Sequence, residues 1–223
     1  FKVSKNGEKI NFSVPTGNFG DIYAGYIAKK MGLPIDKLII ATNSNDILKR
    51  AIKSGIYKPL KVQHTVSPSM DIQVASNFER LIFDAYSNDS DKVLKLMGNL
   101  AKHGEFKLEK NILEKIKDSF FSASITEKET KDIIKETYKN YEVLIDPHTA
   151  VAIGAAKKFK LKNKTVVLST AHSAKFFDVV LSETKIKPEL PKNLKTILVK
   201  QEKFEKLPNE LKKIKSYIFD RSG

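Results

Sequence analysis

Residues 9–21 form the sequence KINFSVPTGNFGD, and this stretch decides the fold. Its first half, Lys9–Val14, alternates and is rich in β-forming residues, which predicts a strand that stops at a proline. Apolar residues then recur at helical spacing as far as Gly32-Leu-Pro34, a typical helix stop. The apolar run 37–42 is typical of a strand buried in a parallel sheet. We therefore predict a βαβ unit, and from it an α/β fold with a mainly parallel sheet and flanking helices.

The rest of the chain continues to alternate between helices and strands. Thr126-Glu-Lys-Glu129 predicts a capping box at one helix start, and Asp146-Pro147 predicts a second capped start. Apolar periodicity predicts further helices within 72–102, 109–117, 147–159, 171–182 and 208–219, and strands at 165–169 and 195–199.

The composition is that of a soluble domain with one substantial core. The chain is 41% hydrophobic and has no cysteine, which excludes disulfides and cysteine-bound metals, and we expect no metal site. It has no run of about 18 apolar residues, and its N-terminus lacks the apolar stretch of a signal peptide, so we expect a cytoplasmic protein without a membrane partner. The sequence begins with Phe1 rather than methionine, so we expect the natural polypeptide to start upstream.

A formal net charge of +14 raises the question of nucleic-acid binding. Only Arg50, Arg80 and Arg221 are arginines, and the lysines are spread over the whole length. Base recognition usually depends on clustered guanidinium groups. We therefore predict a solvated, lysine-rich surface and no nucleic-acid partner.

The loop Pro15–Asp21 joins the first predicted strand to the first predicted helix. Helix starts offer unpaired amide donors and a partial positive charge, which suits a phosphate. Gly17 and Gly20 let the backbone approach an anion closely, and Asn18 tolerates the unusual dihedrals that such a loop needs. The same residues also form ordinary turns, and the loop is neither a Walker P-loop nor a dinucleotide fingerprint. From the residues alone, both interpretations stay open.

Residues 15–34 resemble the cofactor-phosphate loop and first helix of the threonine synthase family. Four later motifs resemble that family's signatures in the same order: ATNSND at 41–46, SPSMDI at 67–72, DPHTAV at 146–151 and STAHSAKF at 169–176. The resemblance covers essentially the whole chain, with a looser match over the last forty or so residues. It implies the tryptophan synthase β-like fold of pyridoxal-phosphate enzymes of fold type II. Residues 1–185 would then form the cofactor-binding α/β domain, and residues 186–223 a C-terminal tail with a closing helix.

The resemblance also implies the residues that hold pyridoxal 5′-phosphate. The loop amides around Gly17, Asn18, Phe19 and Gly20 would bind its phosphate. The hydroxyl of Thr170 would hydrogen-bond the pyridine nitrogen and tune the ring as an electron sink. Without the family, Thr170 is better explained as an ordinary strand-end or helix-capping threonine.

Six further residues are candidates for lining the active site. A capped helix start alone explains Asp146 and Pro147, and the histidines are also explained as polar residues at helix starts. Ser173 stands where many relatives have proline, which puts the local backbone there in question. The candidates are Thr16, Asp21, Ser69, Asp71, His148 and His172.

Family members place the Schiff-base lysine in the N-terminal half, before the phosphate loop. The resemblance therefore implies a fragment that is inactive alone and needs the missing N-terminal half. The complete enzyme would be a carbon-oxygen lyase acting on phosphates, which converts O-phospho-L-homoserine and water to L-threonine and phosphate in threonine biosynthesis. Two alternatives are a threonine synthase-like phospho-lyase that releases a keto acid, and a non-catalytic module that binds a phosphorylated metabolite.

Overall fold

The structure is a computed structural model that describes residues 7–222. Its strands are β1 (Ile10–Pro15), β2 (Ile35–Thr42), β3 (Ile56–Tyr57), β4 (Phe106–Lys107), β5 (Phe120–Ser124) and β6 (Thr165–Val167). Its α-helices are α1 (Gly20–Lys30), α2 (Ile47–Ser54), α3 (Phe78–Ala85), α4 (Ser90–His103), α5 (Lys110–Lys117), α6 (Glu127–Tyr141), α7 (Pro147–Lys157), α8 (Phe177–Thr184) and α9 (Leu211–Phe219). Short 3₁₀ helices lie at Pro68–Met70, Ser173–Phe176, Lys192–Leu194 and Ile197–Val199.

Four strands form a parallel sheet in the order β5-β2-β1-β6, and β3 pairs with β4 in a small antiparallel ribbon. Phe12 in β1 is in register with Leu38 of β2 on one side and with Val166 of β6 on the other. Because the four strands run parallel, their carboxyl ends share one edge, where open α/β sheets bind ligands. The predicted α/β class with a mainly parallel sheet is confirmed.

Strand β2 is buried on both faces, which explains its continuous apolar sequence. Leu38 and Ile40 pack into a core formed with α1 to α5, whereas Ile39 and Ala41 pack into a second core formed with α6 and α7. All four side chains have 0% exposure. The sheet therefore lies between two helical layers.

Helix α7 lies close to the sheet because its buried face is built from small residues. A Cβ atom at Gly154 would stand 2.7 Å from Cδ1 of Ile133 in α6. On the sheet side, the Ser13 hydroxyl of β1 donates to the Ala152 carbonyl at 2.7 Å. These contacts fix the middle of α7 against α6 and against β1.

The sequence failed to predict one strand of the main sheet. Phe120–Ser124 forms β5, which pairs with β2 at the sheet edge, but its two serines and its length of five residues hide the strand pattern. The predicted strand at 165–169 is shorter than expected and ends at Val167. The helical region 72–102 is divided between α3 and α4 by Ser87 and Asn88, both of which have positive φ angles.

The predicted strand at 195–199 is wrong, because Ile197–Val199 forms a 3₁₀ helix. Ile197 and Val199 are exposed. A strand needs a neighbour for its backbone hydrogen bonds, and the described part of the chain after Pro188 contains no strand. An apolar run by itself does not reveal whether such a neighbour exists.

The chain divides into two compact units, the first ending at Pro188 and the second beginning at Glu189. The second unit contains two 3₁₀ helices and α9, and its Arg221 Nη2 lies 3.0 Å from Oε1 of Glu205. The predicted functional boundary at residue 185 stays a prediction. No helix among residues 7–222 is long and apolar enough to cross a membrane.

Candidate functional site

A cleft opens at the carboxyl edge of the sheet, where the segments after the neighbouring strands β1 and β6 meet. It has a volume of about 290 Å³. The segment after β1 supplies one wall, and the segments after β6 and at the start of α7 supply others. The lining residues are 15–22, Ser69, Met70, His148, Thr170, Ala171 and Lys175.

Backbone amides of the loop after β1 are free to bind a ligand. Within residues 7–222, the amides of Gly17, Asn18, Phe19 and Gly20 donate to no other protein group. They lead into α1, whose start has no side-chain cap. Unpaired amides and the helix dipole together make a site suited to an anion of phosphate size.

Phe19 holds the loop in shape, a role that the sequence did not predict. Its backbone has φ 67° in the left-handed region, whereas the unusual dihedral was expected at Asn18. The Phe19 side chain is 1% exposed, and its ring lies 5.3 Å from that of Phe78 and 5.8 Å from that of Phe120. Burial of this ring compensates for the backbone strain and anchors the loop to the core.

The two loop glycines differ in what surrounds them. A Cβ atom at Gly17 would lie 2.7 Å from the Ser69 carbonyl oxygen and 3.0 Å from Cδ1 of Ile72. A Cβ atom at Gly20 would lie 3.6 Å from Nδ2 of Asn77, which is ordinary contact. Neither glycine has a positive φ angle. Gly17 is therefore required by the close approach of the Ser69 segment, and Gly20 is not required by packing within the chain.

A polar network fixes the Ser69 segment. The Asp71 carboxylate accepts hydrogen bonds from two side-chain amides, Asn43 Nδ2 at 2.8 Å and Asn45 Nδ2 at 3.0 Å. It also accepts from the Thr65 hydroxyl at 2.7 Å and from the Thr65 backbone amide at 2.9 Å. Asp71 thus ties residues 65–71 to the end of β2 and does not line the cleft. The sequence motif 41–46 marked the asparagines, but their partners become visible only in the fold.

Asp146 and His148 form a buried pair at the start of α7. The Asp146 carboxylate, 1% exposed, accepts from His148 Nδ1 at 2.8 Å and from the His148 backbone amide at 2.9 Å. It also accepts from the amide of Thr149 at 3.3 Å and from its hydroxyl. Burial alone would raise the pKa of Asp146, but the hydrogen bonds from His148 and Thr149 outweigh it and hold that pKa below the usual value.

The segment after β6 brings two polar side chains to the cleft. Thr170 lines the cleft next to Ser169, whose Oγ lies 3.3 Å from Thr149 Oγ1. Lys175 also lines the cleft, with Nζ 5.7 Å from the centre of the Phe176 ring. The sequence reasoning did not select Lys175, although it stands in the same STAHSAKF motif as Thr170.

The candidate residues are divided between the cleft and its supports. Thr16, Asp21, Ser69 and His148 line the cleft together with Gly17–Gly20 and Thr170. His172 does not, because its Nδ1 caps the 3₁₀ helix by accepting from the Ala174 amide at 3.2 Å. The described residues contain no group of three or more His, Asp or Glu side chains placed to hold a metal ion.

Comparison with known proteins finds that this chain is similar to threonine synthases. Residues 149–218 match the family model "Threonine synthase, C-terminal". The chain is 39% identical to the threonine synthase of Pseudomonas aeruginosa, a match that covers 94% of this chain and 45% of the relative. The crystal structure of PLP-bound threonine synthase from Brucella melitensis is 43% identical with a TM-score of 0.92, covering 98% of this chain and 47% of that one. The crystal structure of yeast threonine synthase is 37% identical with a TM-score of 0.85, and the match covers 97% of this chain and 48% of that one.

The chain thus spans about half the length of the relatives that it matches. The expected resemblance is confirmed by sequence, by fold and by the family model. Along nearly its whole length the chain is similar to one half of threonine synthase, and over residues 149–218 it matches that family's C-terminal domain.

Proposed function

We propose that this chain is the half of a threonine synthase that holds the phosphate of pyridoxal 5′-phosphate. The observation that carries the proposal is the set of unpaired amides at Gly17–Gly20, which lead into the uncapped start of α1. Four adjacent N–H donors at a helix start can donate hydrogen bonds to the oxygens of a phosphate. The relatives support the choice of cofactor, because the Brucella melitensis enzyme was solved with it bound.

The residues of the cleft fit this cofactor. The amides of Gly17–Gly20 would hold its phosphate, and the Thr170 hydroxyl would hydrogen-bond its pyridine nitrogen. Within the described residues, the Thr170 side chain has no hydrogen-bond partner of its own. When bound, the cofactor supplies an electron sink for carbanions formed on the substrate. The chain contributes placement of the phosphate, orientation of the ring and partial exclusion of water.

The complete protein, in this proposal, converts O-phospho-L-homoserine and water to L-threonine and phosphate. That makes it a carbon-oxygen lyase acting on phosphates, located in the cytoplasm and without a nucleic-acid or membrane partner. The N-terminal half would supply the Schiff-base lysine, so this chain alone would be inactive. The proposal rests on the length of the relatives, since the chain covers 45% of the Pseudomonas aeruginosa protein.

Borohydride trapping tests the proposal. The isolated chain, mixed with pyridoxal 5′-phosphate and reduced, should carry no specific pyridoxyl label, because its cleft lacks the family lysine. Lys175 lines the cleft, so Lys175→Arg is the matched control for any labelling that its amine causes. Joined to the upstream half, the protein should take one label and release phosphate from O-phospho-L-homoserine.

Two results would contradict this proposal. One is a complete protein that binds phosphorylated metabolites but neither takes the label nor releases phosphate, which supports the binding-module alternative. The other is release of a keto acid in place of threonine, which supports the phospho-lyase. Amino-acid analysis of the products separates the two activities.

A further inference from the structure

His148 is a buried side chain with an unused hydrogen-bonding atom. The residue is 4% exposed. Within residues 7–222, its Nε2 is the only buried side-chain nitrogen or oxygen that has no hydrogen-bond partner. Buried polar atoms are almost always paired, since an unpaired one has lost its hydrogen bonds to water without replacement. His148 is among the residues that line the cleft, so a ligand bound there is the candidate for the missing partner.

The other side of the ring is fixed. Nδ1 of His148 lies 2.8 Å from Oδ2 of Asp146, whose carboxylate is held by three further donors. Phe176 packs against the ring, with 4.8 Å between the ring centres. A carboxylate can only accept, so Nδ1 keeps its proton whether the ring is neutral or charged. Nε2 therefore accepts in the neutral ring and donates in the imidazolium.

The other groups of the cleft decide between these two roles. The Gly17–Gly20 amides are donors, and the Lys175 ammonium is a cation that also lines the cleft. The facing carboxylates are Asp146, which is engaged by His148 and Thr149, and Asp21 in the first turn of α1. These donors favour an oxyanion as the ligand, and the dianion of a phosphate has no proton to offer to Nε2. Only a donating Nε2 completes such a site.

We propose that His148 is a side-chain member of the anion site, donating a hydrogen bond from Nε2 to an oxyanion of the ligand bound at the loop amides. Asp146 acts through His148 as a positioning residue. The inference deepens the proposed function and rests on it. The oxyanion belongs to a phosphate, which comes either from the cofactor or from the phosphorylated substrate.

Sulfate is a suitable probe because it stays a dianion across the pH range in which histidine titrates. Histidine-labelled chain is titrated by NMR between about pH 5 and 8 in sulfate or in chloride at equal ionic strength. Sulfate should raise the titration midpoint of His148 by about 1 unit or more, as expected for a nearby opposite charge. His103, exposed at the end of α4, is the internal reference and should titrate alike in both salts.

A variant gives the second measurement. In His148→Gln, the affinity for sulfate should no longer depend on pH, whereas in the parent it should fall as the pH rises through the midpoint, by about tenfold in total for a midpoint shift of about 1 unit. His103→Gln is the matched control and should behave like the parent. If His148→Gln does not fold, the titration of the unmodified chain decides alone, with signals assigned from glutamine variants of His64, His103 and His172.

The source of the phosphate is found with two phosphorylated probes. Pyridoxine 5′-phosphate has no aldehyde to react with lysines and tests the cofactor. A shift of His148 on adding it indicates the cofactor phosphate, whereas a shift that needs O-phospho-L-homoserine as well indicates the substrate phosphate. The inference is overturned if sulfate perturbs the amides of Gly17–Gly20 while His148 titrates unchanged, a result that leaves the proposed function standing. If neither the amides nor His148 respond, the anion site and the proposed function fail together.

Discussion

Two helices begin at the cleft, and they begin in opposite ways. Helix α1 starts after Phe19 with no side-chain cap, and the Gly17–Gly20 amides have no partner within residues 7–222. Helix α7 starts with Asp146 as its cap and Pro147 at its first position. The Asp146 carboxylate accepts hydrogen bonds from the backbone amides of His148 and Thr149. One helix start keeps its amides free, and the other satisfies them internally.

The difference shows how the same backbone feature serves two purposes. In the proposed site the backbone at α1 is the binding group, and small residues and a strained Phe19 stand in place of the usual cap. At α7 the cap occupies the amides, and the proposed binding group is a side chain, His148. Stability and binding are thus divided between two neighbouring helix starts, and each can be disturbed separately.

Replacing the cap of α7 should have the largest effect. Asp146→Ala removes a buried acceptor of four hydrogen bonds, so we expect a loss of about 2–4 kcal/mol in the free energy of unfolding. Asp89→Ala is the control, because Asp89 caps α4 at the surface and, within residues 7–222, its carboxylate accepts only from the Lys92 amide, at 3.0 Å. Urea denaturation measures both, and equal losses would contradict the special position of Asp146.

The caps themselves could be predicted from sequence, but their partners could not. Thr126-Glu-Lys-Glu129 and Asp146-Pro147 are local signals, and the structure confirms both caps. The strand β5 escaped prediction because its burial depends on pairing with β2, 80 or so residues away along the chain. Local pattern thus predicted three strands of the parallel sheet and most helices, whereas β5, with two serines in five residues, depends on a neighbour that only the fold supplies.

Replacing the loop glycines should have the next largest effect, and the effect should be larger at Gly17 than at Gly20. In Gly17→Ala the new methyl would stand 2.7 Å from the Ser69 carbonyl, which the Asp71 network holds in place, so we expect a loss of about 1–3 kcal/mol and weaker sulfate binding. In Gly20→Ala the methyl has room, so stability should stay within about 0.5 kcal/mol of the parent. Denaturation and sulfate titration measure the pair, and similar behaviour of the two variants would show that the Ser69 segment yields.

The candidate site divides in the same way between what is local and what is not. The loop Gly17–Gly20 is contiguous in sequence, so a motif predicts it. The roles of Asp71 and His172 depend on distant partners or on a local cap, and a motif match does not distinguish lining the cleft from supporting it. Lys175 was missed because its place in the cleft follows from the parallel pairing of β6 with β1.

The smallest effect is expected at a third helix start, that of α6, where a capping box lies at the surface. The Thr126 amide donates to Glu129 Oε2 at 2.7 Å, and Lys158 Nζ lies 3.0 Å from Oε1. The hydrogen bond from the Thr126 amide is the main cause that lowers the pKa of Glu129 to about 2, with burial opposing it and Lys158 assisting.

Because the folded pKa lies below the unfolded value, Glu129 stabilises the fold above about pH 4.5, and this contribution is lost as the pH falls towards 2. Glutamine keeps the capping box but does not titrate. The stability difference between the parent and Glu129→Gln should therefore be small at pH 7, since the side chain is 42% exposed, and should vanish or reverse on acidification. Urea midpoints between pH 7 and 2.5 measure it, with Glu136→Gln, farther along α6, as the control. Midpoints of Glu129→Gln that follow the parent in parallel at every pH would mean that the folded pKa is not depressed, and that the surface cap contributes through shape alone.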